Sequence, residues 1–382
     1  NRTYTDFPLN EIDLVIFSQL SYLDFSCLDI SNTHRIPLFE ASKNIRKDKN
    51  CTYYSQKRAY YLIIELAKYK RFKNLLFTDY EYRLDSNCQF GALTIITDAF
   101  DKIISFEGTD ATFEGWREDF LLATSFPTSS HALAAEYLHR NIDLFSKKVY
   151  VTGHSKGANV ALGGCMLLNF IYRFKIKEIY GFDGPGLRKE EFYSGRYLSI
   201  KKKLRNIVPE KSFVGIILNQ ENLDCVKSNG RGLLQHDPYT WLVSDYHLIR
   251  GNQNISSINL KEKLDKLLDS YSERQINNFI NNTFNIFREA GCVTYNDIFR
   301  KAIPLYKAYK NKTKDLNEEE KKLIEEILKI IGLDFKDYFV DRMKDKVKRQ
   351  VNKISNKVNK EIRENNKEKK KEKKQIIKDK TL

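Results

Sequence analysis

Ser155 stands between two glycines in Tyr150-Val151-Thr152-Gly153-His154-Ser155-Lys156-Gly157, a β-branched run that breaks at glycine and passes into the small-residue stretch Ala158 to Cys165. A serine hydroxyl becomes a nucleophile toward an acyl carbon when a neighbouring base takes its proton. The spacing predicts a nucleophile elbow, a sharp strand-to-helix turn that lifts the hydroxyl into the open. Both glycines are needed because neighbouring backbone packs too close for a Cβ, and the helix that follows offers free N–H groups and a positive dipole end. The bare five-residue pattern also arises in ordinary strand-loop-helix turns, so its weight depends on the rest of the chain.

The elements that must position this serine can be read from the periodicity. A helix is expected at Leu9 to Leu20 and another near Ala59 to Lys68. Ala92 to Thr97 and Lys102 to Phe106 flank a short Asp98 to Asp101 turn and read as adjacent antiparallel strands. A helical stretch from Ala132 to Phe145 leads to the strand Lys148 to Thr152, an elbow helix reaching about Phe174, and strands at Glu178 to Phe182 and Lys203 to Val208. Strands alternating with helices predict an α/β architecture, a mostly parallel sheet covered on both faces. From about Ile258 the pattern is helical only.

Composition narrows the class. A chain of 382 residues that is 41% hydrophobic and 13% aromatic is globular and long enough for a large core. The net charge of +15 is uneven, for Val340 to the C-terminus carries 17 Lys and Arg against 7 Asp and Glu, which leaves the body only mildly basic. The six cysteines are scattered without Cys-x-x-Cys spacing, so reduced thiols are expected and neither a disulfide framework, a metal nor a cofactor is implied. No apolar run reaches transmembrane length. Asn1 to Leu9 lacks the charged-then-apolar build of a secretory signal, so the expected location is the cytoplasm, or outside the cell by export without a cleaved signal. The chain has no initiator Met, so its true start is not visible.

Phe106-Glu107-Gly108-Thr109-Asp110, followed by Trp116 and Asp119, resembles the oxyanion segment of the class 3 (fungal-type) lipases. The resemblance implies that Thr109 supplies its N–H and hydroxyl to a tetrahedral oxyanion and that Asp119 anchors the hydroxyl. The second donor is then the N–H of Lys156, and such donors contribute roughly 3 kcal/mol each to lowering the barrier. More of the chain, from about Leu9 to Ala302, is similar to a branch of bacterial lipase-like α/β-hydrolases. The motifs that carry this likeness are Phe106 to Asp110, Gly153 to Gly157, Phe182-Asp183-Gly184-Pro185-Gly186, Val208-Pro209 with the residues to Gly215, and Gln235-His236-Asp237-Pro238 with Trp241. Relatives of that branch include lipase toxins exported by Gram-positive bacteria, which implies an effector role as one expectation.

In α/β-hydrolases the order along the chain is Ser, acid, His, so the base lies downstream of Ser155, where only His236 and His247 occur. His236 precedes Asp237-Pro238, a turn suited to a loop-borne imidazole. His247 reads as structural, His154 as packing that points away from Ser155 by strand alternation, and His34, His131 and His139 have no partner the sequence names. The acid is open. The class 3 pattern places an Asp two residues before Val-Pro, and Asn206 stands there. Asp183 and Glu210 each follow a strand, at a carboxyl end where an α/β sheet gathers its site. Asp183 is slightly preferred for its flanking glycines, and Asp224 and Asp237 are more distant options.

Met343, Val347, Val351, Ile354, Val358 and Ile362 recur at steps of three or four along a helix crowded with Lys and Arg. Such a helix suits an anionic membrane surface, or docks its stripe on the hydrolase body or a helical protein partner. Nucleic acid is disfavoured because no aromatic residue follows Phe339 to stack on bases. The sequence thus predicts a catalytic domain over 1–255, a helical extension over 256–340 and a basic tail over 341–382. The expected activity is hydrolysis of lipid esters by a serine carboxylester hydrolase of lipase or phospholipase type. A thioesterase, a small-ester esterase, or a catalytically idle hydrolase fold serving as an interaction module are the alternatives.

Overall fold

The computed structural model describes residues 2–45, 54–85, 88–110, 112–143, 148–293 and 301–312, with 297, 316, 318 and 320–323. Its centre is one eight-stranded sheet whose spatial order follows the chain. The strands are β1 (Ile36–Pro37), β2 (Leu76–Leu84), β3 (Gln89–Ile96), β4 (Asp101–Phe106), β5 (Lys148–His154), β6 (Ile176–Phe182), β7 (Leu204–Pro209) and β8 (Leu223–Val226). β1 to β4 pair antiparallel, and β4 to β8 run parallel. This is an α/β-hydrolase fold, a large, mostly parallel sheet flanked by helices.

The period of two along the strands sorts side chains into two cores. Ile103 of β4 and Tyr150 of β5 join one cluster with Phe17, Leu20, Phe25 and Phe77, beneath the helix Glu11–Leu20. Their neighbours Ile104, Val149 and Val151 join the other, with Tyr137, Leu138, Ala161 and Cys165 from the helices Ser129–Asn141 and Lys156–Leu167. Covering both faces buries every residue of β3 and every residue of β5 after Lys148, as expected for strands inside a layered sheet.

Local details depart from the periodicity in places. The elbow helix ends at Leu167, and Asn169 begins a separate helix, Phe170–Lys175, by accepting the N–H groups of Ile171 and Tyr172. β1, β2 and β8 were not expected. β2 escapes a simple alternation because its register to β3 shifts between Thr78 and Glu81, where Asp79 takes a φ of 49°.

The chain divides into two compact units, Asn1–Ala308 and Tyr309–Leu382. The first unit includes the helices Ile255–Ser270 and Glu273–Glu289. Phe279 and Phe284 pack on Phe120 of the helix Phe113–Leu121, and Thr124 donates to Asn277 at 2.7 Å. Arg188 joins the same contact through Glu273 at 2.7 Å. The stripe from Met343 to Ile362 lies outside the described residues. Among the described residues no helix is long and apolar enough to cross a membrane, and no cluster of ligating side chains could hold a metal. The five described cysteines are free thiols.

Candidate active site

β5 is followed at once by Ser155, whose φ of 58° and ψ of −132° place it in a region that side-chain-bearing residues rarely occupy. The strain is held by packing. A Cβ on Gly153 would lie 2.2 Å from the Gly157 carbonyl oxygen, and one on Gly157 would lie 2.3 Å from that of Phe106. Both glycines are therefore required by close backbone approach. The Ser155 N–H donates to the Phe182 carbonyl at 2.9 Å, which ties the elbow to the end of β6.

Asp183, the next residue after β6, is fully buried and takes a φ of 45°. Its Oδ1 accepts the Ser212 hydroxyl at 2.5 Å and the Gly215 N–H at 3.1 Å. Its Oδ2 stands 2.7 Å from His236 Nδ1, and His236 Nε2 stands 3.0 Å from Ser155 Oγ. A carboxylate accepts, so Nδ1 carries the proton and Nε2 is left to accept from the serine hydroxyl. Of the two candidate acids, Asp183 is brought to His236. Glu210 faces Gly251 instead, where an added Cβ would meet its carboxylate at 2.6 Å. Asn206 lies within β7, its side chain toward Gly181.

His236 closes a short 3-10 turn, Gly232–His236. Gln235 fixes this turn by accepting the Lys211 N–H at 2.8 Å and, through its own carbonyl, the Trp241 indole N–H at 2.8 Å. Asp237 caps the following turn at Tyr239. His247 is exposed, 3.8 Å from Glu11. Of the histidines without a named partner, His131 caps its own helix at Thr128 and lies 2.7 Å from Asn159, His34 meets Asp29 at 2.9 Å, and His139 packs on Tyr172.

The segment after β4 lies against the elbow, as the close approach of Gly157 to Phe106 and Glu107 requires. Thr109 donates its hydroxyl to Asp119 Oδ2 at 2.6 Å. Asp110 accepts the Thr112 N–H at 2.8 Å, and Thr112 in turn caps the helix that carries Asp119. Burial pushes the Asp119 carboxyl up to about 7, against the pull of Lys156 and the Thr109 hydrogen bond. The Lys156 N–H opens the elbow helix, where the first turn leaves donors without intrahelical acceptors.

Two features here had no signal in the local sequence. The Lys156 side chain is buried, with Nζ 2.6 Å from the Gln89 carbonyl, 2.7 Å from Gln89 Oε1 and 3.0 Å from Glu118 Oε2. Burial alone would raise the Glu118 carboxyl, but Lys156 and hydrogen bonds from Ser130 outweigh it and hold it below its ordinary value. The second is His154. Its ring hydrogen-bonds the His236 backbone at 2.8 Å, so packing is not its whole role.

These side chains can together perform acyl transfer: a hydroxyl on a base, the base on a carboxylate, and helix N–H groups beside the hydroxyl. A family model described as Mbeg1-like matches residues 66–285. Among solved structures the chain is similar to M37 lipase, at 15% identity and a TM-score of 0.33, covering 54% of this chain and 69% of that one. It is also similar to the native Rhizomucor miehei lipase propeptide complex, at 16% identity and a TM-score of 0.31, covering 40% of this chain and 57% of that one. Superpositions this loose place no side chain. A search of curated proteins finds no match.

Proposed function

The chain belongs to the Mbeg1-like family, and from that membership and the geometry at Ser155 we propose that it is a serine carboxylester hydrolase of lipase or phospholipase type acting on lipid esters. The observation that carries this reading is the unbroken chain from Asp183 Oδ2 through the His236 ring to Ser155 Oγ, at 2.7 and 3.0 Å.

In the proposed reaction His236 Nε2 takes the Ser155 proton as Oγ attacks the ester carbon. Asp183 keeps the imidazole in the productive tautomer and offsets the positive charge that forms on it. The carbonyl oxygen, now an anion, meets the Lys156 N–H and Thr109, each contributing roughly 3 kcal/mol at the transition state. His236 returns the proton to the departing alcohol. Water, deprotonated by the same nitrogen, then attacks the acyl-enzyme and releases the acid and the free serine. No step uses a metal or cofactor.

We assign the basic stripe from Met343 to Ile362 a role in concentrating the enzyme on anionic membranes, on the sequence pattern alone. Labelling with a fluorophosphonate tests the central proposal. The expected result is one adduct, on Ser155, absent from Ser155→Ala, with hydrolysis lost in parallel. A Ser155→Ala protein that hydrolyses esters at the wild-type rate refutes the reading. A series of acyl chain lengths then separates a lipid esterase from a small-ester esterase or thioesterase.

A further inference from the structure

Tyr22 lies just beyond the helix Glu11–Leu20 and is almost wholly buried. Its hydroxyl sits 2.9 Å from His154 Nδ1, and the other ring nitrogen of His154 sits 2.8 Å from the backbone carbonyl oxygen of His236. A carbonyl only accepts, so His154 Nε2 carries a proton and Nδ1 accepts from the tyrosine hydroxyl. Burial holds the His154 pKa well below its ordinary value, and the charge that His236 acquires, on a ring 4.6 Å away, acts in the same direction. His154 is thereby kept neutral and in one tautomer.

The same hydroxyl touches the third segment of the site. A Cβ on Gly108 would fall 2.0 Å from Tyr22 Oη and 2.5 Å from the His154 carbonyl oxygen. One phenol and one imidazole therefore bear on three backbone segments: the loop before Thr109, the elbow, and the turn that carries His236.

The geometry points to Tyr22 and His154 as a positioning pair that fixes the backbone of His236 against the elbow and the Thr109 loop, and so sets the distance from His236 Nε2 to Ser155 Oγ. Their role in turnover rests on the proposed hydrolase reaction. The hydrogen bond His236 donates to Asp183 and the one it accepts from Ser155 orient its ring, whereas the bond from His154 fixes where that ring is hung. Neither Tyr22 nor His154 bonds the reacting atoms, so a change in either acts through the backbone segments they hold, the His236 turn first among them.

The test compares His154→Phe, His154→Gln and Tyr22→Phe in the full chain. Phe keeps the bulk and removes the proton from the His236 carbonyl, whereas the Gln amide can donate to it. His154→Phe is expected to lower kcat on a short-chain ester and the fluorophosphonate labelling rate by about 10- to 100-fold with KM little changed, the scale of an ångström-sized misplacement. His154→Gln recovers most of that loss, and Tyr22→Phe lowers kcat by a smaller factor. Nitrogen-15 NMR of the histidine rings gives a readout independent of turnover. In the wild type it should find His154 neutral with its proton on Nε2 at neutral pH, and in His154→Phe a displaced His236 titration.

A folded His154→Phe with wild-type kcat and an unmoved His236 titration overturns the proposal, as does a wild-type His154 protonated on Nδ1. If the wild type neither hydrolyses esters nor takes the label, the hydrolase reading fails, and the His236 titration alone decides the positioning role. If His154→Phe does not fold, His154→Gln and Tyr22→Phe carry the comparison. The proposal then requires Tyr22→Phe to displace the His236 titration more than His154→Gln does, and the reverse order overturns it.

Discussion

Asp183→Asn removes a charge without changing volume, and the structure dictates how the amide must sit. Ser212 Oγ and the Gly215 N–H both donate to Asp183 Oδ1. An Asn at 183 satisfies them only with its carbonyl oxygen in that place, since the reverse orientation points an NH2 at the Gly215 N–H. The NH2 then occupies the Oδ2 position, 2.7 Å from His236 Nδ1. Facing a donor, Nδ1 must accept, so the ring proton moves to Nε2. There it meets Ser155 Oγ as a donor and cannot take its proton. A wrong tautomer of this kind costs a triad about 10⁴-fold in turnover, which is about 5.4 kcal/mol at about 1.36 kcal/mol per decade. Stability should change little, because both donors into the site remain satisfied. The assay is the initial rate on a short-chain ester together with the fluorophosphonate labelling rate, with circular dichroism to confirm the fold. Glu210→Gln is the companion, expected to keep the wild-type rate because its carboxylate faces Gly251. An Asp183→Asn enzyme within about tenfold of wild type would refute the tautomer reasoning.

Four further outcomes follow from the same geometry. Lys156→Met leaves Glu118 charged, buried and unpaired, so it should destabilise the fold by about 3–5 kcal/mol, and Lys156→Met with Glu118→Gln should recover part of this; unfolding curves on the two variants check it. Gly157→Ala drives a Cβ to 2.3 Å from the Phe106 carbonyl, so the variant should melt well below wild type, and an unchanged melting temperature would contradict the packing. Burial raises Asp119 from 3.8 to about 7, and a carboxyl raised on folding contributes stability that is complete below 3.8 and lost as pH rises through about 7. Asp119→Asn should therefore gain in melting temperature relative to wild type across that interval, and a difference that stays constant with pH argues against the shift. Deleting Met343 to Leu382 should weaken sedimentation with anionic liposomes in a salt-dependent way and spare a soluble short-chain ester, whereas unchanged liposome binding would remove the membrane role from the tail.

The sequence named the residues that meet at Ser155, because each sits in a short motif whose chemistry is local: Gly-His-Ser-Lys-Gly, Phe-Asp-Gly-Pro-Gly and Gln-His-Asp-Pro. It left Asp183 and Glu210 open, since a choice between two strand ends depends on which one the His236 turn folds over. Tyr22 carried no signal, standing 132 residues from the imidazole it bonds. Strand alternation gave His154 no partner beyond packing. It could not say what crosses that side of the sheet, and the His236 carbonyl does. The Lys156 side chain was missed for a similar reason. Its partners Gln89 and Glu118 come from β3 and from the helix after β4, brought together only by the fold. The strands with strong apolar runs were legible, whereas β2 was hidden by the irregularity at Asp79 and the elbow helix was read past its true end because Asn169 restarts the chain as a second helix.

Phe182 and Asp183 are consecutive, and they grip different members of the site. The carbonyl of the first holds the Ser155 N–H, and the carboxylate of the second holds the His236 ring. In mechanical terms the tip of β6 is a shared mount: a small displacement of it carries Ser155 and Asp183 together, so their separation is insensitive to breathing of the sheet. Positional error is then left to the His236 turn, which hangs from the chain about fifty residues further on. The geometry at Ser155 should accordingly be most sensitive to the residues that fasten the turn, Gln235 and Trp241 as much as the side chains that meet there.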